Sequence, residues 1–293
     1  MRRFPAVLFV LAACHSEPPK SEAPPANANV PAPPSGSATA SADGVPMVPG
    51  DEKAPPDVRK ERHDFIADVM AFTKLPGDQV VAKLVTNTGM KQEWEAWEGS
   101  GAMTDDRIKQ FYKQTQNYIF DLGGWHLWDL QKRESDLAMP DELRKLLPDE
   151  LRKPDAKPRV LDFGGGVGFN SLVLAKAGFD VTLADLDSVT LSFAKFRAER
   201  QGVQMKYWKS DVEEMPPDAK YDVIICMDVF EHLPDSEIVK YVDKLVTLKT
   251  KTTQIIIHAP FGRTAQHPMH LDQTEVSKHQ IARLQNELPA DAK

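Results

Sequence analysis

The residues best suited to chemistry are a glycine run and a set of carboxylates and histidines spaced through the second half of the chain. Asp162-Phe163-Gly164-Gly165-Gly166-Val167-Gly168-Phe169 follows an apolar stretch and precedes a helical one. Glycines belong where backbone turns sharply and a ligand must approach closely. A helix opening just after them offers free N–H groups to an acceptor. Asp185 lies 21 residues beyond Gly164, near the ~20-residue offset at which a carboxylate accepts from ribose hydroxyls. Its neighbour Asp187, or else Ser188, suits a helix N-cap. Asp211 sits in a Ser210-Asp211-Val212 turn, and Met227-Asp228 ends another apolar run. His232, His258 and His270, with His267 beside the last, are candidates for general-base work near neutral pH.

The elements that must position these groups are legible as a rhythm. After residues 154–158 short β-branched runs alternate with helical stretches, the pattern of parallel βαβ units. Strands are expected at residues 159–163, 180–184, 204–208, 222–227 and 254–259. Helices are expected at residues 169–177, 188–201, 235–246 and 274–288. Cys226, inside the run Val223-Ile224-Ile225-Cys226-Met227, reads as a small buried hydrophobe. Residues 58–153 form a helical cap region, with Phe65, Ile66, Val69 and Phe72 at helical spacing and a break at Pro76-Gly77. Aromatic residues between Phe111 and Leu130 are expected on one helix face. They pack on the neighbouring sheet, or form a lid in which Tyr118, Trp125 and His126 face a ligand.

Asp162 with Gly164, Gly166 and Gly168 resembles the first motif of class I, S-adenosylmethionine (SAM)-dependent methyltransferases. Tyr221 through Asp235 resembles the fourth-strand segment of the small-molecule enzymes of that superfamily, of the UbiE/UbiG type. The dinucleotide fingerprint wants a small residue where Phe169 stands, which disfavours a nicotinamide oxidoreductase. The resemblance covers residues 155–271 and implies a doubly wound, mostly parallel Rossmann-like sheet. It also implies SAM as cofactor, with Asp162 toward its amino-acid end, Asp185 and Leu186 at the ribose, Asp211 and Val212 at the adenine, and Met227 and Asp228 at the sheet edge. The family's sheet has seven strands. Only five are legible here, so the C-terminal hairpin is expected to be missing and catalytic competence is open. Asp228, Glu231 and His232 also reproduce a spacing that holds a divalent ion in some relatives, whereas others use the Glu-His pair for packing.

Net charge is -7 and no basic stripe is visible, which disfavours a nucleic-acid substrate. The Asn/Asp-Pro-Pro-Tyr/Phe element of amino methyltransferases is absent, which argues against base methylation. A small-molecule acceptor is expected. Residues 1–14 pair Met1-Arg2-Arg3 with a short apolar run and Leu11-Ala12-Ala13-Cys14, which resembles the lipobox of bacterial lipoproteins. Residues 15–57 read as a disordered Pro/Ala-rich linker, since residues 15–58 carry 11 of the chain's 23 prolines. Motif and tether together favour an anchored lipoprotein with Cys14 lipidated. The cytoplasmic origin of SAM favours a cytoplasmic protein instead. A SAM-binding relative without turnover, serving as sensor or structural partner, is the reading from a different functional class.

Overall fold

A computed structural model describes residues 46, 48–86, 88–218 and 220–292. The lipobox-like segment, Cys14 and most of the Pro/Ala-rich linker lie outside these residues. The linker boundary at 57 is corrected. Val48 is 3% exposed within an apolar cluster, and Asp51 binds Arg62 and His63 at 3.1 and 2.7 Å. A valine with an apolar wall to cover and a carboxylate facing a guanidinium and an imidazole fix this stretch against the first helix.

Among the described residues, six α-helices precede the sheet: α1 (Pro56–Thr73), α2 (Gly77–Thr86), α3 (Gly89–Gly99), α4 (Asp105–Gln114), α5 (Asn117–Trp128) and α6 (Leu130–Leu146). The aromatic stripe does not run along one helix. Thr115 breaks it, adopting an extended conformation at the end of α4. Its hydroxyl donates to Glu93 at 2.5 Å and accepts from the Asn117 N–H at 3.2 Å. Phe111 and Tyr112 therefore pack with Trp94 and Trp97, while Trp125 turns toward the sheet's edge.

The sheet half then alternates as β1 (Arg159–Phe163), α7 (Phe169–Lys176), β2 (Asp180–Asp185), α8 (Val189–Arg200), β3 (Lys206–Lys209), β4 (Val223–Met227), α9 (Asp235–Thr247), β5 (Gln254–His258) and α10 (Glu275–Asn286). All strands are parallel, in the order β3-β2-β1-β4-β5. The doubly wound Rossmann-like fold is thus present with five strands among the described residues and no C-terminal hairpin. β3 begins two residues later than its sequence suggests because its ladder with β2 starts at Thr182↔Lys206. β1 and β4 are buried on both faces, as expected of central parallel strands. Cys226 is fully buried, and burial pushes its thiol well above its usual range.

Phe169 joins the two halves. Its ring stacks on His126 at 4.4 Å and on Phe65 at 5.2 Å. The buried Arg197 guanidinium lies 4.4 Å from the same ring and donates to the Val167 carbonyl at 2.7 Å. The residue that departs from the dinucleotide fingerprint is therefore the one on which the helical cap is mounted. No helix of the described residues is long and apolar enough to cross a membrane.

Candidate active site

The site lies at the carboxyl edge of the sheet, where doubly wound folds bind ligands. β1 delivers Asp162 to the edge, 2% exposed. The Ser171 hydroxyl, one turn into α7, donates to it at 2.6 Å. Burial pushes this carboxyl up to about 6 despite that hydrogen bond. The loop beyond it turns on Gly164, Gly166 and Gly168, with φ of 76°, 54° and 77°. A Cβ at Gly164 would lie 2.5 Å from Val229, and one at Gly166 would lie 2.8 Å from Leu122 of α5. The left-handed backbone favours glycine at both positions, and at Gly164 the approach of Val229 Cβ adds a lack of room.

β2 ends at Asp185, whose two oxygens accept from the N–H groups of Gly166 and Leu186 at 2.8 and 2.7 Å. This carboxylate locks the glycine loop to the second strand. Burial pushes it up to about 6, opposed by those two donors. Ser188, not Asp187, caps α8, accepting from Leu191 N–H at 3.1 Å. Asp187 pairs instead with Lys209 at 3.1 Å and donates its backbone N–H to Asp211 at 2.7 Å. The other Asp211 oxygen accepts from Lys113 of α4 at 2.7 Å. Burial opposes ionisation of Asp211, but these donors win and hold it below its usual range. Val212 beside it is 62% exposed.

A cavity of about 530 Å³ opens at the other end of the edge. Asp162, Gly164, Gly166, Met227, Asp228, His232, His258 and His270 line it, whereas Asp185, Leu186, Asp211, Val212 and Gly168 do not. Tyr118, Trp125 and His126 of α5 also line it, so the aromatic helix both packs on the sheet and faces the cavity. Register explains the central pair. Met227 opposes His258 across the β4–β5 ladder, so the next residue, Asp228, swings beside the imidazole. Asp228 adopts φ 54°, which Asp tolerates better than most side chains. Its carboxylate lies 2.5 Å from His258 Nδ1. That hydrogen bond outweighs partial burial and raises the imidazole's pKa above its ordinary value.

The proposed ion spacing is redistributed. Asp228 faces His258, and the residues whose ligand atoms lie within 4.8 Å of one another are Glu231, His232 and His270. Glu231 is fully buried, with neither oxygen hydrogen-bonded. Burial first, then Asp228, pushes its pKa up to about 9. His232 is driven by burial down to about 3, and its Nδ1 lies 2.8 Å from the Tyr112 hydroxyl. His270 sits 4.9 Å from the His232 ring and stacks on His267 at 4.7 Å. Lys113, Tyr112, Asp121 and Lys132 reach the site from the cap with no motif to mark them. Burial raises Asp121 to about 6.

The sheet order, the glycine loop locked by Asp185 and the acidic cavity at the strand ends make a doubly wound, Rossmann-like domain with a ligand site at its carboxyl edge. Residues 160–250 match the family described as a methyltransferase domain. The chain is similar to the ubiquinone biosynthesis O-methyltransferase of Bordetella avium, 36% identical over 110 residues, covering 37% of this chain and 46% of that protein. The enzyme of the same name from Xylella fastidiosa is 31% identical over 134 residues, covering 44% and 53%. The chain therefore spans about half the length of these curated relatives. Among solved structures, magnesium protoporphyrin IX methyltransferase from Synechocystis with bound SAM aligns over 70% of this chain and 83% of that one. Its identity is 21% and its TM-score 0.37.

Proposed function

We propose that this protein is a SAM-dependent methyltransferase acting on a small-molecule acceptor, with His258 as the base that takes the acceptor's proton. One observation carries the reading. The Asp228–His258 pair faces the same cavity as Asp162 and the glycine loop. When bound, SAM supplies an electrophilic methyl group on a sulfonium. The residues present fit that ligand. Asp121, Asp162, Asp228 and Glu231 line the cavity, which suits a group carrying a sulfonium and an ammonium. Asp162, raised by burial, is favoured in its ionised form by a cationic neighbour.

Asp228 holds Nδ1 of His258, which leaves Nε2 to accept a proton from a hydroxyl or thiol in the cavity. Tyr118, Trp125 and Phe261 wall the cavity with aromatic surface, which excludes water and aligns an apolar acceptor. The test is release of S-adenosylhomocysteine (SAH) by the full chain across a panel of small hydroxyl and thiol acceptors. Turnover should fall by roughly 10²–10⁴ in His258→Ala with SAH affinity retained. Equal turnover in that variant would remove His258 as the base.

A second reading concerns the cluster Glu231, His232 and His270. A fully buried carboxylate with both oxygens unpartnered fits a divalent ion, which would ionise Glu231 and orient an acceptor oxygen. Metal analysis of the purified protein tests it. A stoichiometric ion that Glu231→Gln and His270→Ala both lose supports the site, and no bound ion removes it.

A further inference from the structure

We propose that Lys132 of the helical cap binds the cofactor's carboxylate and that Asn170 of α7 accepts from its ammonium. The cap then selects for a nucleoside thioether that carries a whole amino acid. The inference deepens the SAM reading above and rests on it. Besides its sulfonium and ammonium, SAM carries a carboxylate, and the acids Asp121, Asp162, Asp228 and Glu231 that line the cavity oppose that group. Lys132 is the only lysine or arginine among the described residues that line it. A carboxylate entering the cavity therefore has one fixed cation to meet.

Lys132 is held in place, with its side chain 14% exposed. The Asp136 carboxylate accepts from its ammonium, and the other Asp136 oxygen lies 2.6 Å from Nδ1 of His126. The ammonium also stands 5.0 Å from the centroid of the Trp125 ring, within reach of a cation–π attraction. An ammonium has three donors. Asp136 takes one, which leaves donors for a ligand oxygen. At Asp162, where burial dominates, the Lys132 charge favours ionisation more than Asp136 opposes it. The opposite pole lies on the sheet half. Asn170 lines the same cavity, and its Oδ1 is buried without a hydrogen-bond partner among the described residues. A buried acceptor left without a donor is costly, and a ligand ammonium relieves that cost. Ser171, the next residue, donates to Asp162 at 2.6 Å, so both acceptors belong to the β1–α7 side of the cavity. A cation from α6 and acceptors from β1 and α7 match the two charges that an α-amino acid carries on one carbon.

The experiment compares calorimetric titrations of the full chain with SAH, with decarboxylated SAH, which lacks only the carboxylate, and with L-methionine. Wild type should bind SAH about ten-fold or more tighter than the decarboxylated analogue. Lys132→Gln should erase that preference by weakening SAH alone. Lys132→Arg, which keeps a cation for Asp136, should retain the preference and controls for folding. Asn170→Ala should weaken both nucleosides alike, by about five-fold, because both keep the ammonium. Equal affinities in wild type, or a preference that survives in Lys132→Gln, would overturn the carboxylate assignment. Undiminished affinity for decarboxylated SAH in Asn170→Ala would overturn the ammonium assignment. L-methionine binding as tightly as SAH would give these residues to a free amino acid and overturn their assignment to the cofactor. If wild type binds neither nucleoside, the SAM reading falls and takes this inference with it. If it binds both with equal strength, only the inference falls.

Discussion

The two ends of the sheet's carboxyl edge are built differently. At the nucleotide end every oxygen of Asp185 and Asp211 already has a donor from the protein itself. At the acceptor end a cavity of about 530 Å³ collects carboxylates and histidines whose pKa values burial has pushed apart. The first end is closed by hydrogen bonds between consecutive strand–loop units, with Lys113 added from α4. The second is assembled from α5, the β4 edge and the loop after β5, segments distant in sequence. Local hydrogen bonds fix a loop, while titratable groups gathered from afar around a cavity are placed to meet a substrate.

The comparison can be broken or sharpened by substitutions that load both ends, one end or neither. Phe169 carries the largest expected effect, since its 5% exposed ring mounts the cap on the sheet half. Phe169→Ala should cost about 3–5 kcal/mol in chemical denaturation and impair both ends, because α5 loses its seat. Gly164→Ala, which meets a left-handed φ and a 2.5 Å approach to Val229, should cost about 2–4 kcal/mol. Gly164 lines the cavity and meets Val229 beside Asp228, so that variant should lose SAH affinity and turnover together. Loss of one without the other would show that the loop serves a single end.

Asp228→Asn loads the acceptor end only. His258 must be neutral to accept a proton, so kcat/KM should fall as pH drops through its raised pKa. Removing Asp228 lowers that pKa, and the acid limb of the profile should move to lower pH with the plateau reduced by about ten-fold. The pair's stabilisation is fully present below the imidazole's ordinary value of 6.5 and is lost as pH rises through the raised one. The variant's stability deficit should therefore be largest in acid. Thr274→Ala is the smallest and a control. It removes the capping box of α10, should cost about 1 kcal/mol in thermal unfolding, and should leave both ends intact.

The same division explains what the sequence made legible. The glycine loop, Asp162 and Asp185 could be located because strand, turn and helix are contiguous there, and β1 occupies the residues its apolar run suggested. The five strands among the described residues were legible too, each falling on or close to its β-branched run. The Asp228–His258 contact was not legible as a pair. Each residue could be placed at a strand end, but only the β4–β5 register brings them together. Lys113 on Asp211 left no trace either, because the seating of α4 depends on how the Trp94–Phe111 cluster packs, which no local periodicity encodes. The break at Thr115 was hidden for a related reason. Its hydroxyl serves Glu93, 22 residues away, in place of the helix.

The central claim is that SAM binds on the glycine loop locked by Asp185. Calorimetric titration of the full chain with SAM and SAH, alongside Asp185→Ala, addresses it most directly. Stoichiometric binding of both ligands by wild type, weakened on the order of 100-fold or more by the substitution, is the predicted result. Absence of binding to either ligand by a folded wild-type protein, or affinity undiminished in Asp185→Ala, would contradict it.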